Sequence, residues 1–224
     1  TGVKNNERAI DYDEETAFSL VDDGDVAGLR LWLRSNPHMG ANARNVESGR
    51  SLLHHASANG QKEVVKLLLQ RTETNLVLRT MLGGSTALHL AVTNNHRSIA
   101  FQLLSNGADA LARDKSGCAP IHYVQSVSVA KLLVQYGARV LDCNAKRKNA
   151  LDSVRARETL EDDRADENEA APELARQQLH KYLKERAQIE YKEKLATLRE
   201  LKQQTKAQQA RQQQRARKTL REFQ

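Results

Sequence analysis

Apolar residues come along this chain in short bursts at helical spacing, divided by turn residues, and the bursts repeat. The pattern predicts a helix from Glu14 to Val21, a turn at Asp22-Asp23-Gly24-Asp25, and a second helix from Val26 to Arg34 that ends at Asn36-Pro37. Further on, Gly84-Ser85-Thr86-Ala87-Leu88-His89-Leu90-Ala91 leads to Leu103-Leu104-Ser105-Asn106-Gly107-Ala108-Asp109. An upstream copy reads Ser51-Leu52-Leu53-His54-His55-Ala56, then Asn59-Gly60, then Val64-Val65-Lys66-Leu67-Leu68. A downstream copy reads Ala119-Pro120-Ile121-His122-Tyr123, then Val129-Ala130-Lys131-Leu132-Leu133, then Tyr136-Gly137-Ala138. Histidines 54, 89 and 122 are 35 and 33 residues apart, and a fixed period of this size marks a stacked array.

Each unit predicts two short helices that are unstable alone and share one apolar face for the next unit to cover. Ser51 and Thr86 stand where a side-chain oxygen caps the first turn, and Asn106-Gly107 stands where glycine ends a helix in the left-handed region. The downstream copy is shorter: His89 to Leu103 spans 14 positions and His122 to Leu132 spans 10, so about one helical turn is missing near Gln125-Ser126-Val127-Ser128. This predicts a local pinch in the stack. Trp32 is expected to pack under the second helix rather than serve as a ligand platform. The apolar residues Val77, Leu78, Met81 and Leu82 sit in a long connection from Arg71 to Leu82. They either cover the adjoining helices or form a hydrophobic finger that faces a partner.

From Pro172 nothing breaks a helix up to Phe223, a span of about 75 Å at 1.5 Å per residue. Leu183, Ala187, Tyr191, Leu195 and Leu198 form an apolar stripe at steps of four and three, read as a docking stripe. Beyond Leu201 the chain is almost wholly Gln, Ala, Lys, Arg and Thr, a helix polar all round. The acidic run from Glu158 to Glu173 reads as a solvated loop.

The repeating unit resembles the ankyrin repeat. That family's pattern is a Gly, a Thr-Pro-Leu-His-like run, a pair of small residues, a Gly, a Val-x-x-Leu-Leu run, then Gly-Ala-Asp, and the middle copy matches it nearly throughout. The resemblance implies an all-α ankyrin-repeat solenoid of helix-turn-helix units followed by a long extended C-terminal helix or coiled coil. The expected organisation is a polar arm over 1–12 and about five repeats within 13–156. The repeats run about 13–46, 47–79, 82–114, 115–143 and 147–186, the last interrupted by the acidic insert 157–172, and the closing and tail helix covers 173–224, with Leu174, Leu179, Tyr182 and Leu183 supplying the second helix of the closing repeat. In the fifth unit Asp152 replaces the histidine, as in closing repeats of the family, and Arg147 stands where Gly is usual. The resemblance implies that His54, His89 and His122 bond backbone between neighbouring repeats. It also implies a protein-binding concave face, carried residue by residue onto Asn45, Glu47, Ser48, Arg50, Asn59, Thr80, Leu82, Thr93, Asn94, Arg113, Lys115, Ser116, Cys118, Lys146 and Lys148. Of these, Arg50, Arg113, Lys115, Lys146 and Lys148 would share one edge, which points to an acidic partner segment, to the chain's own acidic insert, or to scattered solvated charge.

Charge changes the picture at one end only. The whole chain carries a net +7, yet residues 173–224 hold 14 Lys and Arg against 6 Asp and Glu, while 1–172 hold 21 against 22. The basic ribbon is Lys192, Lys194, Arg199, Lys202, Lys206, Arg211, Arg215, Arg217, Lys218 and Arg221. Such a ribbon attracts an acidic protein surface or RNA, and the scarcity of aromatic residues argues against specific single-strand recognition. Two cysteines, Cys118 and Cys143, point away from a disulfide framework and towards a reducing, intracellular setting, expected to be cytoplasmic. No apolar run approaches a membrane span.

No phosphate-binding loop, dinucleotide fingerprint or His-Glu-x-x-His motif is present in the sequence. Cys118 and His122 have ligand-like spacing, but a structural zinc takes four ligands and Cys143 is the one other thiol. The expectation is therefore a non-enzymatic scaffold or adaptor without metal, cofactor or small-molecule substrate. It would be a structural subunit of a large cytoskeletal, ciliary or axonemal assembly, gripping proteins through the concave face and the tail. The alternative is a ribonucleoprotein subunit, ribosome-like, whose tail contacts RNA.

Overall fold

The computed structural model describes residues 14–36, 42–162 and 170–222, with side chains at 15–36, 42–156 and 174–213. The polar arm 1–12, Pro37 and the centre of the acidic insert lie outside the described residues. Among the described residues the chain is all-helical. It divides into two compact units, with the boundary between Leu183 and Lys184.

The first unit is built from α1 (Glu14–Asp22), α2 (Val26–Ser35), α3 (Leu52–Asn59), α4 (Lys62–Leu69), α5 (Ala87–Thr93), α6 (Arg97–Ser105), a 3-10 turn (Pro120–Tyr123), α7 (Val127–Gln135) and α8 (Ala150–Asp162). It ends with the first part of α9 (Ala170–Glu222). Helices α1, α3 and α5, the 3-10 turn and α8 pack in one row. Helices α2, α4, α6 and α7 pack in a second row behind it. Leu29, Trp32, Leu52, Leu68, Leu88, Ile99, Leu103, Ile121 and Leu133 are fully buried between the rows. Trp32 is thus core, as its apolar surroundings predict.

Local chemistry sets the helix ends. Asp25 Oδ1 accepts from the amides of Ala27 and Gly28 at 3.0 and 2.9 Å and starts α2. Gly60 takes φ 77° and ends α3, and Asn95 takes φ 57° after α5, where a short amide side chain tolerates the left-handed region. Asn149 and Asp152 exchange reciprocal side-chain bonds to each other's amides, at 3.0 and 3.1 Å, and start α8.

The shortened fourth repeat keeps only the four-residue turn Pro120–Tyr123 in place of a first helix. Val124 then turns extended and Ser126 opens α7 through a bond from the Val129 amide at 3.4 Å. The contraction is bridged back to the third repeat, because the Gln125 amide donates to the Thr93 carbonyl and the Ser126 hydroxyl donates to Asn95 Oδ1 at 2.7 Å.

Two expectations change. The acidic stretch read as a loop is helical at both ends, since α8 runs on to Asp162 and α9 starts at Ala170. Once α8 is capped, Arg155 to Asp162 contains no Gly or Pro to stop it. Leu183, read both as the start of the docking stripe and as part of the second helix of the closing repeat, is fully buried in the first unit with Leu179, which leaves it to the closing repeat and takes it out of the stripe, and Tyr182 beside it lies under the Lys131 ammonium at 5.7 Å.

The turn of the fifth repeat survives the loss of its glycine. Arg147 adopts φ 58°, against 63°, 67° and 71° at Gly49, Gly84 and Gly117. A residue with a Cβ holds that conformation at a cost of about 1 kcal/mol. Arg147→Gly is therefore expected to raise stability by roughly 1 kcal/mol, read as a higher urea midpoint at unchanged m-value.

The second unit is the remainder of α9, rich in Gln, Ala, Lys, Arg and Glu and free of Gly and Pro. Thr197 and Thr205 bond back to the carbonyls of Lys194 and Leu201 at 2.9 and 2.8 Å. Arg186 and Glu190 form an i,i+4 pair at 3.7 Å.

Candidate protein-binding surface

Four turns line one edge of the first unit: Asn45 to Gly49, Thr80 to Gly84, Asp114 to Gly117 and Asn144 to Arg147. The opening side chain of each holds its own turn. Asn45 Oδ1 accepts from the amides of Glu47 and Ser48 at 3.1 and 2.9 Å. Asp114 Oδ1 takes those of Ser116 and Cys118 at 2.8 and 2.9 Å. Asn144 Oδ1 takes those of Lys146 and Lys148 at 2.9 and 3.0 Å. Thr80 Oγ1 accepts from the Ser85 amide at 3.1 Å. Adjacent turns are laced by Met81 N–H to Ser48 O (3.1 Å), Lys115 N–H to Gly83 O (2.9 Å) and Ala145 N–H to Ser116 O (3.0 Å).

Two side-chain ladders run beside the lacing. Arg44 donates to the carbonyls of Gly49 and Arg79, Arg79 to those of Gly84 and Arg113, and Arg113 to those of Gly117 and Cys143. Each guanidinium closes its own turn and ties it to the next repeat, using donors in a fork that one ammonium does not match. Arg113 also meets Asp142 at 3.6 Å. Sequence reading alone does not single out Arg44 and Arg79. A signal for them exists, because arginine stands one residue before each turn at 44, 79 and 113, near the histidine period.

The histidines form the second ladder. His54 Nδ1 accepts from the Ser51 amide at 3.1 Å, which leaves Nε2–H to donate to the Ser85 carbonyl of the next repeat at 3.1 Å. His89 repeats this between the Thr86 amide (3.2 Å) and the Cys118 carbonyl (3.1 Å). His122 Nδ1 accepts from the Ala119 amide at 3.1 Å. Burial lowers the pKa of all three, that of His54 to about 4, against weaker opposing help from the carbonyls they bond. Burial and the Tyr123 bond to Asp114 Oδ2 at 2.5 Å push the Tyr123 phenol up. The rings of His54 and His89 therefore work as neutral tautomers joining the backbone of one repeat to that of the next, and His122 holds the backbone of its own turn. No three His, Cys, Asp or Glu side chains converge on a metal-sized space among the described residues.

The sequence-predicted face divides into structural and exposed members. Thr80 and Cys118 are buried, which corrects the expectation that they face a partner. Thr80 Oγ1 is turned onto its own turn by the Ser85 amide, and Cys118 Sγ accepts from Asn144 Nδ2 of the next turn at 3.2 Å. Asn45 and Ser48 hold their turn, Thr93 bonds back to the His89 carbonyl at 2.8 Å, and Arg113 belongs to the ladder. Asn59 donates to Asp22 Oδ1 at 2.7 Å, and Asn94 donates to the Ala58 carbonyl at 3.1 Å. Arg50 is half-buried, whereas Glu47, Leu82, Lys115, Ser116, Lys146 and Lys148 are exposed. Lys115 Nζ donates to the Met81 carbonyl. In the connection from Arg71, Leu78 is half-buried while Val77, Met81 and Leu82 are exposed, so covering the helices accounts for Leu78 alone.

On the second unit Lys192, Lys194, Arg199, Lys202, Lys206 and Arg211 are exposed along with Tyr191 and Leu198, while Ala187 and Leu195 are half-buried. Arg215, Arg217, Lys218 and Arg221 lie on the helix, beyond the described side chains. No helix among the described residues is long and apolar enough to cross a membrane.

Copies of one helical hairpin, laced turn to turn and tied by buried histidines, define a helical-repeat solenoid. The family profile described as "Ankyrin repeats (3 copies)" matches residues 18–114, and the chain is an ankyrin-repeat protein. It is similar to the transient receptor potential cation channel subfamily A member 1 of Drosophila melanogaster, 30% identical over an alignment of 162 residues that covers 68% of this chain and 13% of that protein. It is also similar to the inhibitor of Bruton tyrosine kinase of Homo sapiens, 29% identical over 107 residues, 48% of this chain and 8% of that one. The probable 26S proteasome regulatory subunit p28 of Saccharomyces cerevisiae is 34% identical over 87 residues, 39% of this chain and 38% of that one. The chain thus spans a small part of the first two relatives and well under half of the third. Ankyrin repeats are protein–protein interaction modules and imply protein partners for the array.

Proposed function

We propose that the protein is a non-enzymatic scaffold or adaptor, a structural subunit of a large intracellular assembly such as a cytoskeletal or axonemal complex. It holds one protein on the turn edge of the array and lays its tail along another. The observation that carries this reading is the tail's surface: Tyr191, Leu198 and Leu201 are 59, 53 and 61% exposed on a helix whose exposed cations run from Lys192 to Arg211. Apolar side chains held in water along one stretch of helix, among six exposed cations against the two exposed carboxylates Glu193 and Glu200, suit a mainly acidic groove or helix on a neighbouring protein.

A second reading, a ribonucleoprotein subunit, draws on residues 201–213, where every side chain is exposed and the sequence holds Lys202, Lys206 and Arg211 with no Asp or Glu. Salt and mutation separate the two. Protein docking is expected to be lost in a Tyr191→Asp/Leu198→Asp chain, measured as co-sedimentation with the native assembly, and to change modestly with salt. RNA binding would ignore those substitutions and fall log-linearly with salt, which would move the assignment to the second reading.

A further inference from the structure

The turn edge has a chemical polarity that neither its hydrogen bonding nor its packing requires. At one end Val46 and Leu82 are each 84% exposed and Met81 is 59% exposed, on two turns joined by the Met81–Ser48 bond. An open cavity of about 510 Å³ adjoins Val46 and Met81, with Asn42 and Arg44 also in its wall. At the other end Lys115, Lys146, Arg147 and Lys148 are all exposed. The carboxylates of these turns offer little balance: Asp114 is spent on two amides and the Tyr123 hydroxyl, Asp142 faces Arg113, and only Glu47 is exposed without such a bond among the described residues of the turns. The guanidinium ladder adds Arg44, Arg79 and Arg113 to the same side. This edge is therefore strongly basic within a region, 1–172, that is nearly neutral.

Arg147 sharpens the point. It occupies the glycine position of its turn at φ 58°, where glycine would be unstrained. Backbone strain kept at an exposed cation is the kind of outlier that goes with a binding role.

We propose that the turn edge docks an extended acidic polypeptide segment that carries one large apolar side chain. The apolar side chain rests against Val46, Met81 and Leu82 beside the cavity, and the carboxylates that follow reach Lys115, Lys146, Arg147 and Lys148. The proposal rests on the reading of the array as a protein-binding module and names the partner chemistry of one of its surfaces. Aliphatic anchors favour a peptide over RNA, since bases seek aromatic or guanidinium faces to stack on.

The test uses the full chain and two fluorescent peptides, one of Glu and Asp with a single central Trp, the other identical but with Ala for Trp, read by anisotropy at physiological salt. The Trp peptide is expected to bind the tighter. Val46→Ser/Leu82→Ser should weaken it about tenfold and leave the Ala peptide unchanged, and Arg147→Gly/Lys148→Ala should weaken both about fivefold or more. All four positions are on exposed turns, and unchanged circular dichroism would confirm that each variant is folded. Lys202→Gln/Lys206→Gln on the tail should bind as the parent does. Edge variants that bind like the parent overturn the proposal, as does loss confined to the tail variant. An oligouridylate that binds tighter than the peptides and is lost with the same edge variants also overturns it, in favour of a nucleic-acid edge. A parent chain that binds neither peptide removes the acidic-segment site and leaves tail docking standing, because that reading is judged by Tyr191→Asp/Leu198→Asp.

Discussion

Acidification from pH 7 to pH 4 is expected to cost the array about 3 kcal/mol at His54 alone, with further loss at His89 and His122. The sign follows from burial. The His54 pKa is lowered to about 4 in the fold, while the same side chain in the unfolded chain titrates near 6.5. Between those values the unfolded chain binds a proton that the folded chain refuses. Stability is then complete above about pH 6.5 and drains as the pH falls towards 4, by about 1.4 kcal/mol for each pH unit crossed. Protonation would also place a donor on Nδ1, which must accept from the Ser51 amide. Urea unfolding at half-unit steps from pH 7 to 5, above most carboxylate titration, should show a falling midpoint, and His54→Gln should flatten the slope. A midpoint constant over that window would mean that the imidazoles are not held neutral.

The second large effect is at Leu183. It is fully buried, with Leu179, where the last helix of the first unit closes the array. A repeat array needs such a closing element, since its end repeat otherwise leaves an apolar face in water. Leu183→Ala should lower unfolding stability by about 3 kcal/mol, combining lost burial with the cavity left behind. Leu198→Ala, at a position 53% exposed, should change it by less than about 0.5 kcal/mol. Equal effects at the two positions would show that the stripe is one continuous surface, as its spacing suggests.

That pair also shows where sequence reading stops. Steps of four and three put Leu183, Tyr191 and Leu198 on one helix face, but periodicity names a face and not what covers it. The repeats, the cap at Ser51, the histidine links from His54 and His89, the buried Trp32 and the short fourth unit are all legible, because each depends on residue type at a local spacing. The arginine ladder is harder to see. Arg44, Arg79 and Arg113 act on backbone carbonyls of the next repeat, and a carbonyl leaves no mark in sequence. The family's contact pattern places Thr80 and Cys118 on the partner face, whereas both are buried against Ser85 and Asn144, contacts that the pattern does not record. The acidic stretch misleads through composition: charge reads as solvated, and a solvated segment without Gly or Pro still forms helix, as α8 does up to Asp162.

Zero-length carbodiimide cross-linking of the native complex probes the account most directly, because it joins lysine amines only to carboxylates in contact with them. Lys115, Lys146 and Lys148 are predicted to link to Asp or Glu side chains of another polypeptide, next to a large apolar residue in its sequence, with tail links at Lys192 to Lys206. Links confined to this chain, together with ultraviolet cross-links to RNA at the same turns, would contradict it.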